Sequence, residues 1–385
     1  MTFAFVFPGQ GSQSVGMLNS IAQRPEVRAT LQEASEALGE DVAKLIAEGP
    51  AEALSLTTNT QPVMLTAAIA FYRAWLASGG AVPQMMAGHS LGEYSALVAA
   101  GVIAFKDAVP LVRFRAQAMQ TAVPVGTGGM AAILGLDDAI VKTVCAQAAS
   151  ASGGVVEAVN FNAPGQVVIA GGSDAVSKAC ELLKAAGAKR ALPLPVSAPF
   201  HSSLLQPASE KLQAYLASIE FKVPTISVVN NVDVNVLNDP AAIKDALVRQ
   251  AAKPVRWQET IKAMAQQGIP RPAAADTEWV LMLDNSSSMS GPTPYSENGM
   301  YVKDVPAQDP CIRAIPARAA PGLVRIVGVA AFRSQPNHHL PPWTPALPPS
   351  ANASPRRWPA CVAAPRRPAT PSCRGCSTRC GANAA

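Results

Sequence analysis

The sequence lacks any apolar run of the roughly 20 residues needed to cross a bilayer, which argues against a helical membrane protein. Its first residues, MTFAFVFPGQGSQ, have neither the basic lead nor the small-residue cleavage site of a secretory signal peptide. They are typical instead of a short strand, Phe3 to Phe7, that runs into a glycine loop. We therefore expect a cytoplasmic protein with no membrane partner.

Cysteine is scarce in most of the chain, where only Cys145 and Cys180 occur, and two isolated cysteines do not make a disulfide framework. Acidic residues stop at Asp309 and lysines at Lys303, whereas arginine continues to Arg379. The formal charge of +5 is therefore largely a property of the C-terminal segment. It gives no indication of binding to nucleic acid.

The first 268 residues alternate strand patterns with helix patterns, which predicts an α/β fold. Gly129 to Leu194 has its own order, βαββαβ, which is that of a split βαβ, ferredoxin-like unit. The core pattern resumes after it. We therefore predict a core made of residues 1–124 and 195–269, with residues 125–194 inserted as a subdomain.

After about Ile269 the chain becomes rich in Pro, Ala and Arg, and its hydrophobic periodicity disappears. Proline is too dense there for helices or central strands. We expect residues 270–385 to be largely disordered. Since a shifted reading frame in a GC-rich gene produces such a composition, we also hypothesise a frameshift near codon 269, which resequencing of the 3′ end would test.

Two motifs in this segment suggest metal binding but lack a supporting fold. Glu278 to Met289 contains the D-x-S-x-S pattern of von Willebrand A metal-adhesion sites without the αβ repeats of such a domain. An irregular cysteine cluster lacks the paired spacing of a zinc site; it comprises Cys361, Cys373, Cys376 and Cys380. We predict no metal site.

The pentapeptide GHSLG, Gly88 to Gly92, follows a short apolar strand and precedes a helix. That is the setting of a G-x-S-x-G nucleophile elbow, in which a tight turn projects the serine hydroxyl and the helix N-terminus stabilises an oxyanion. The structural alternative is a serine that only caps the helix. We predict that Ser90 is the nucleophile of an acyl-transfer enzyme.

A serine nucleophile needs a base, and the chain has four histidines. His338 and His339 lie in the atypical segment, and His89 points away from the serine on a turn of this kind. A lone histidine is more often structural. Elimination nevertheless favours His201 as the general base.

Two further features fit acyl transfer. The glycine loop Phe7 to Gln13 lacks the ending of a phosphate-binding loop and is a better candidate for a second oxyanion donor. Arg113 and Arg115 lie two apart on an apolar helix and face different sides. One that turned inward could bind an anionic acyl group, although a solvated arginine is the alternative.

Taken together, these motifs resemble malonyl-CoA:acyl carrier protein transacylases of type II fatty-acid synthesis. The resemblance covers residues 1 to about 268 and extends to polyketide synthase acyltransferase domains. It rests on FVFPGQGSQ, GHSLGEYSALVAAG, RFRAQAMQ, GTGGMAAILGL, VNFNAPGQVVIAG, PLPVSAPFHS, VVNNVDV and LVRQAAKPVRW. It implies an α/β-hydrolase-like core that carries a small ferredoxin-like subdomain.

The resemblance also implies roles for individual residues. Ser90 and His201 form a catalytic dyad without a triad carboxylate, and Arg115 holds the malonyl carboxylate. Backbone N–H groups of Gln10 and Leu91 form the oxyanion hole. The supporting positions are Gln250, which orients the histidine through its carbonyl, Asn231 nearby, and Phe200, which resembles the malonyl-selecting form of the motif.

The implied activity is transfer of malonyl from malonyl-CoA to the phosphopantetheine thiol of acyl carrier protein, by a monomer with no bound cofactor. The family continues past residue 268 with a further core strand, and we expect no such strand after Ile269. Two alternatives remain. One is a serine hydrolase or thioesterase, and the other is a non-catalytic protein, either an inactive relic with an altered C-terminus or an adaptor that binds metal through its tail.

Overall fold

The computed structural model describes residues 3–196, 198–267, 280–282 and 329–331. Within them, helices and strands alternate. The strands are β1 (Ala4–Phe7), β2 (Met85–Gly88), β3 (Gly128–Leu134), β4 (Val156–Ala163), β5 (Gln166–Gly172), β6 (Arg190–Pro193), β7 (Ser227–Val229), β8 (Val280–Met282) and β9 (Val329–Ala331). The helices are α1 (Pro25–Leu38), α2 (Val42–Glu48), α3 (Ala51–Leu54), α4 (Thr57–Ala77), α5 (Leu91–Ala99), α6 (Phe105–Gln120), α7 (Asp138–Ser152), α8 (Ser173–Ala185), α9 (Gln206–Ala217), α10 (Pro240–Gln250) and α11 (Trp257–Gln266).

The larger sheet has the strand order β7-β2-β1-β8-β9. Its first four strands run parallel, and β9 is antiparallel to β8. Phe7 of β1 pairs with Gly88 of β2, and Val229 of β7 pairs with Ala87. The loops that follow these three strands therefore meet at one carboxyl edge, where open parallel sheets bind ligands.

Strand β1 is buried on both sides of this sheet. Because successive strand residues face opposite ways, Phe5 and Phe7 pack on one side against Tyr72 of α4. Ala4 and Val6 pack on the other side in a cluster that includes residues of α11. Burial on both faces explains the continuously apolar sequence of this strand.

The smaller sheet has the order β4-β5-β3-β6, and all its pairs are antiparallel. Helices α7 and α8 pack on one face of it, around residues such as Ile133 and Ile169. The opposite face carries Met130 and Val159 and packs against Phe200. That face is therefore turned toward the segment that carries His201.

The predicted α/β fold is confirmed. The expectation of no further core strand after Ile269 is wrong, since β8 pairs in parallel with β1 and adds a strand to the larger sheet. Its apolar run, Val280 to Met282, is long enough for a short strand despite the proline-rich sequence around it. Apart from β8 and β9, segment 270–385 lies outside the described residues, and with it the predicted disorder, the cysteine cluster and the oxygen ligands of the D-x-S-x-S motif. No described helix combines the length and apolar character needed to span a bilayer.

Candidate active site

Ser90 lies in the turn between β2 and α5, with φ 53° and ψ −104°. Only a few non-glycine residues adopt a positive φ, and holding one there costs on the order of 1–3 kcal/mol. The surrounding structure therefore has to hold Ser90 in place. This conformation is that of the nucleophile elbow predicted from the sequence.

Gly92, the last residue of the pentapeptide, has no room for a side chain. A Cβ built on it would lie 2.1 Å from the backbone oxygen of Phe7 at the end of β1. Because both groups belong to the backbone at the sheet edge, neither can move without breaking the elbow. The glycine is required by contact between the start of α5 and the neighbouring strand.

We expect Gly92→Ala to destabilise the protein by about 4 kcal/mol or more, at the upper end for single substitutions, and to abolish activity. Thermal unfolding and soluble yield would measure this. Gly129→Ala is the matched control, because a Cβ there meets nothing closer than 3.8 Å. Equal melting temperatures for the two variants would contradict the steric argument.

His201 is buried and its Nε2 lies 2.7 Å from Ser90 Oγ. Its Nδ1 lies 2.8 Å from the backbone oxygen of Gln250. A carbonyl oxygen only accepts, so Nδ1 carries the proton and Nε2 is left to accept from the serine hydroxyl. The pair has the geometry of nucleophile and general base.

Burial, and to a lesser extent the nearby Arg115 cation, lower the pKa of His201 to about 3, while the hydrogen bond to Gln250 acts in the opposite direction. His89 is the other charged or titratable group that affects it. The imidazole is therefore neutral, and able to accept a proton, throughout the ordinary pH range.

We therefore predict that the rate of Ser90 acylation does not fall as the pH is lowered from neutral into the mildly acidic range. A base with an ordinary pKa near 6.5 would lose about tenfold in rate by pH 5.5, because protonation removes the acceptor. Here the pre-steady-state burst of CoA release should change less than about threefold between pH 5.5 and 8. A rate that falls with an apparent pKa near 6.5 would contradict the neutral, buried base.

Arg115 is buried, with 1% of its surface exposed. Its Nη1 donates to Gln61 Oε1 at 2.8 Å, and its Nη2 donates to Gln250 Oε1 at 2.9 Å and to Ser90 Oγ at 3.1 Å. The guanidinium also lies 5.2 Å from the centre of the Tyr94 ring. Burial lowers the pKa of Arg115.

None of the salt bridges among the described residues includes Arg115, and its Nε has no hydrogen-bond partner. Arg113, in contrast, turns outward and makes a two-pronged bond to Glu40 at 2.9 and 2.6 Å. The inward arginine is thus Arg115. A buried cation that makes no direct salt bridge is a site suited to an anionic ligand.

Gln250 and Asn231 hold the backbone of the elbow. Asn231 Oδ1 accepts from the Ser90 N–H at 2.7 Å, and its Nδ2 donates to the Gly88 oxygen at 2.8 Å. Gln250 Nε2 donates to the Ser90 oxygen at 2.9 Å. Both predicted supporting residues are therefore in direct contact with the turn.

The glycine loop after β1 lies against the same turn. A Cβ on Gly9 would be 2.8 Å from the backbone oxygen of His89, so only glycine permits this approach. The side chain of Gln10 is tied down by a 3.0 Å bond to Thr57. Leu91 is the first residue of α5, and its N–H therefore has no acceptor within the helix.

The remaining predicted residues lie around this centre. Phe200, directly before His201, is partly buried between Met130 of the small sheet and Leu205. His89 turns away from the serine, as predicted, with Nε2 2.9 Å from Asn162 Oδ1. Among the described residues, no group of His, Cys, Asp or Glu side chains could hold a metal ion.

Two site residues were missed by sequence reasoning. Glu93 follows the pentapeptide directly and lies buried in the first turn of α5. Gln61 is a buried polar residue near the start of the apolar helix α4. A charged or amide side chain on the buried face of an otherwise apolar helix was the available signal for both.

Comparison with known proteins places this geometry in a family. The family model described as the acyl transferase domain matches residues 4–273. The malonyl CoA-acyl carrier protein transacylase of Salmonella typhimurium is 59% identical over 268 residues, which are 69% of this chain and 86% of that protein.

Two solved structures are similar as well. The acyl-carrier-protein S-malonyltransferase of Burkholderia pseudomallei 1710b is 72% identical, with a TM-score of 0.69 over 70% of this chain and 87% of that one. A malonyl-transacylase in complex with a type II polyketide synthase acyl-carrier protein is 53% identical, with a TM-score of 0.68 over 70% of this chain and 86% of that one. The chain belongs to the acyl transferase domain family.

Proposed function

We propose that this protein transfers the malonyl group of malonyl-CoA to the phosphopantetheine thiol of acyl carrier protein, through a malonyl ester on Ser90. The observation that carries the proposal is the buried Arg115, which makes no direct salt bridge among the described residues and lies 3.1 Å from Ser90 Oγ. A malonyl ester on that oxygen carries a free carboxylate a few bonds away. The names of the relatives agree with this substrate.

In the first half-reaction, His201 Nε2 takes the proton of the Ser90 hydroxyl as Oγ attacks the thioester carbonyl. Their 2.7 Å separation is that of a hydrogen bond along which the proton can move. The collapse of the tetrahedral intermediate breaks the C–S bond. The CoA thiolate leaves with the proton from His201.

The negative charge on the tetrahedral oxygen needs donors that already point at it. The N–H of Leu91 stands at the N-terminal end of α5, where the helix dipole is positive. The N–H of Gln10 belongs to the loop that Gly9 brings against the elbow. We assign the oxyanion hole to these two groups.

In the second half-reaction, His201 takes the proton of the phosphopantetheine thiol, and the sulfur attacks the malonyl ester. The C–O bond to Ser90 breaks, and His201 returns the proton to Oγ. The product is malonyl on the carrier protein, and the enzyme is regenerated without a bound cofactor. An acyl-carrier protein is the partner named for one solved relative.

We propose that residues 1–124 and 195–269 form an α/β-hydrolase-like core and residues 125–194 a ferredoxin-like subdomain. The strand order β4-β5-β3-β6 with two helices on one face supports the second assignment. Packing of Phe200 against the other face supports a substrate cleft between the two parts. The monomeric state and the cytoplasmic location stay predictions.

The test uses purified protein and radiolabelled malonyl-CoA, with and without holo acyl carrier protein. We expect labelled carrier protein, and a stable malonyl adduct on Ser90, detected by mass spectrometry, when the carrier is left out. Release of free malonate without the carrier would instead indicate a thioesterase. A folded sample without an adduct would support the inactive relic.

A further inference from the structure

Glu93 is a buried acid to which the proposed mechanism gives no role. It lies in the first turn of α5, three residues after the nucleophile, and only 2% of its surface is exposed. One oxygen, Oε2, accepts both the Asn231 N–H at 3.0 Å and Gln250 Nε2 at 2.8 Å. A single atom thus joins two residues from separate parts of the chain.

Those two residues hold the strained turn from opposite sides. Asn231 accepts from the N–H of Ser90, whereas Gln250 donates to the oxygen of Ser90. Both peptide groups that flank the serine Cα are therefore fixed by the side chains of two residues that Glu93 anchors, Asn231 through its backbone N–H and Gln250 through its side chain. The positive φ of Ser90 needs such support, because the turn has a lower-energy conformation available once the bonds are lost.

Glu93 also sets which way the Gln250 amide faces. When Glu93 is ionised, its carboxylate oxygens accept hydrogen bonds and donate none. Nε2 of Gln250 therefore faces Glu93, and Oε1 of Gln250 faces Arg115. The reversed amide would place two oxygens together and turn an N–H donor toward the guanidinium. The orientation of Arg115 at Ser90 thus depends on Glu93 through Gln250.

This arrangement lowers the stability of the fold. Burial raises the pKa of Glu93 to about 7, against the hydrogen bonds from Gln250 and Asn231 that lower it. Between pH 4.5, the ordinary pKa of a glutamate, and about pH 7, the folded protein keeps a proton that the unfolded chain releases, so rising pH lowers the free energy of unfolding. Polar groups that cost stability in this way tend to be kept where function needs them.

We propose that Glu93 is a positioning residue. Its Oε2 accepts hydrogen bonds from Asn231 and Gln250, and these two residues in turn hold Ser90 in its turn and orient the Arg115 guanidinium toward Ser90. The proposal rests on the proposed malonyl transfer for its kinetic readout. The position of that oxygen, and not its charge, is what should matter for activity. A protonated acid or an amide at position 93 also offers one carbonyl oxygen to the Asn231 N–H and to Gln250 Nε2.

Two substitutions separate position from charge. Glu93→Gln keeps the reach and loses the charge, whereas Glu93→Asp keeps the charge and draws the oxygen back by roughly 1.5 Å. We expect Glu93→Asp to lower kcat for malonyl transfer by about 10- to 100-fold, as small misplacements do, with little change in KM. Glu93→Gln should stay within about threefold of the wild type.

The matched controls are Glu33→Asp and Glu33→Gln, because Glu33 likewise accepts a hydrogen bond through one carboxylate oxygen, from Arg73 at 2.8 Å, but lies outside the site. Reaction of Ser90 with a fluorophosphonate probe is measured in parallel, so positioning can be read even if malonyl transfer itself is absent. Full activity and probe reactivity in Glu93→Asp would overturn the proposal. A loss in Glu93→Gln as large as in Glu93→Asp would also overturn it, in favour of a role for the charge.

Discussion

Replacing His201 with alanine is expected to lower kcat for malonyl transfer by about 100- to 10,000-fold, the range for removal of a general acid–base group. In the proposed mechanism the imidazole is needed in both half-reactions, first to deprotonate Ser90 and then to deprotonate the incoming thiol. No other described side chain is placed to replace it, since the Arg115 guanidinium that also contacts Ser90 Oγ can only donate. Stopped-flow measurement of CoA release would give the acylation rate directly.

His89→Gln is the control for this experiment. His89 adjoins the nucleophile, but its ring bonds to Asn162 and lies edge-on to Trp257. An amide can keep the bond to Asn162, so we expect less than about a tenfold loss, well short of the effect at His201. A double variant, Ser90→Ala with His201→Ala, should be no slower than Ser90→Ala alone, because the two groups act as a unit. Additive losses would argue against the dyad.

The sequence predicted the tight turn at Ser90 well, because such an elbow is a local structure. A strand, a turn between two glycines and a helix lie within a few residues of Ser90, and steric contact at Gly92 leaves little choice of conformation. The pairing of that serine with His201, 111 positions away, was reached only by eliminating other histidines. The structure brings them to 2.7 Å because Ser90 follows β2 of the larger sheet, whereas His201 directly follows Phe200, which packs on the smaller sheet.

Other parts of the site could not be found from spacing alone. Helical spacing shows that Arg113 and Arg115 face different sides, but packing against α4 and α10 decides which one is buried. Glu93 was missed for the same reason. Its role depends on Asn231 and Gln250, which lie far along the chain and meet it only in the folded protein.

The C-terminal segment shows the limit of reasoning from composition. Its proline content led to the expectation that no core strand would follow Ile269, yet β8 lies beside β1. A three-residue apolar stretch gives too little periodicity to separate a strand from background. The open edge of a parallel sheet, which is known only once the fold is known, determines where such a stretch pairs.

Arg115→Ala is expected to lower the preference for malonyl over acetyl groups. In the wild type, an acetyl ester leaves the buried guanidinium without an anion, whereas a malonyl ester supplies one. A hydrogen bond to a charged group contributes about 1.5–3 kcal/mol, which corresponds to roughly 10- to 100-fold in selectivity. The ratio of kcat/KM for malonyl-CoA to that for acetyl-CoA should fall by at least this factor, with acetyl transfer rising relative to malonyl.

Arg113→Ala is the matched control, because the same side chain two residues earlier bonds to Glu40 on the surface and should leave the ratio unchanged. Arg115→Lys adds a finer test. Lysine keeps the charge but lacks the planar fork that bonds Gln61 and Gln250 at once. The Arg115→Lys variant should recover only part of the preference for malonyl over acetyl, since no pair of hydrogen bonds fixes the lysine ammonium group beside Ser90. An unchanged malonyl-to-acetyl ratio in Arg115→Ala would refute the assignment of Arg115, and the source of selectivity would then have to be sought at Phe200.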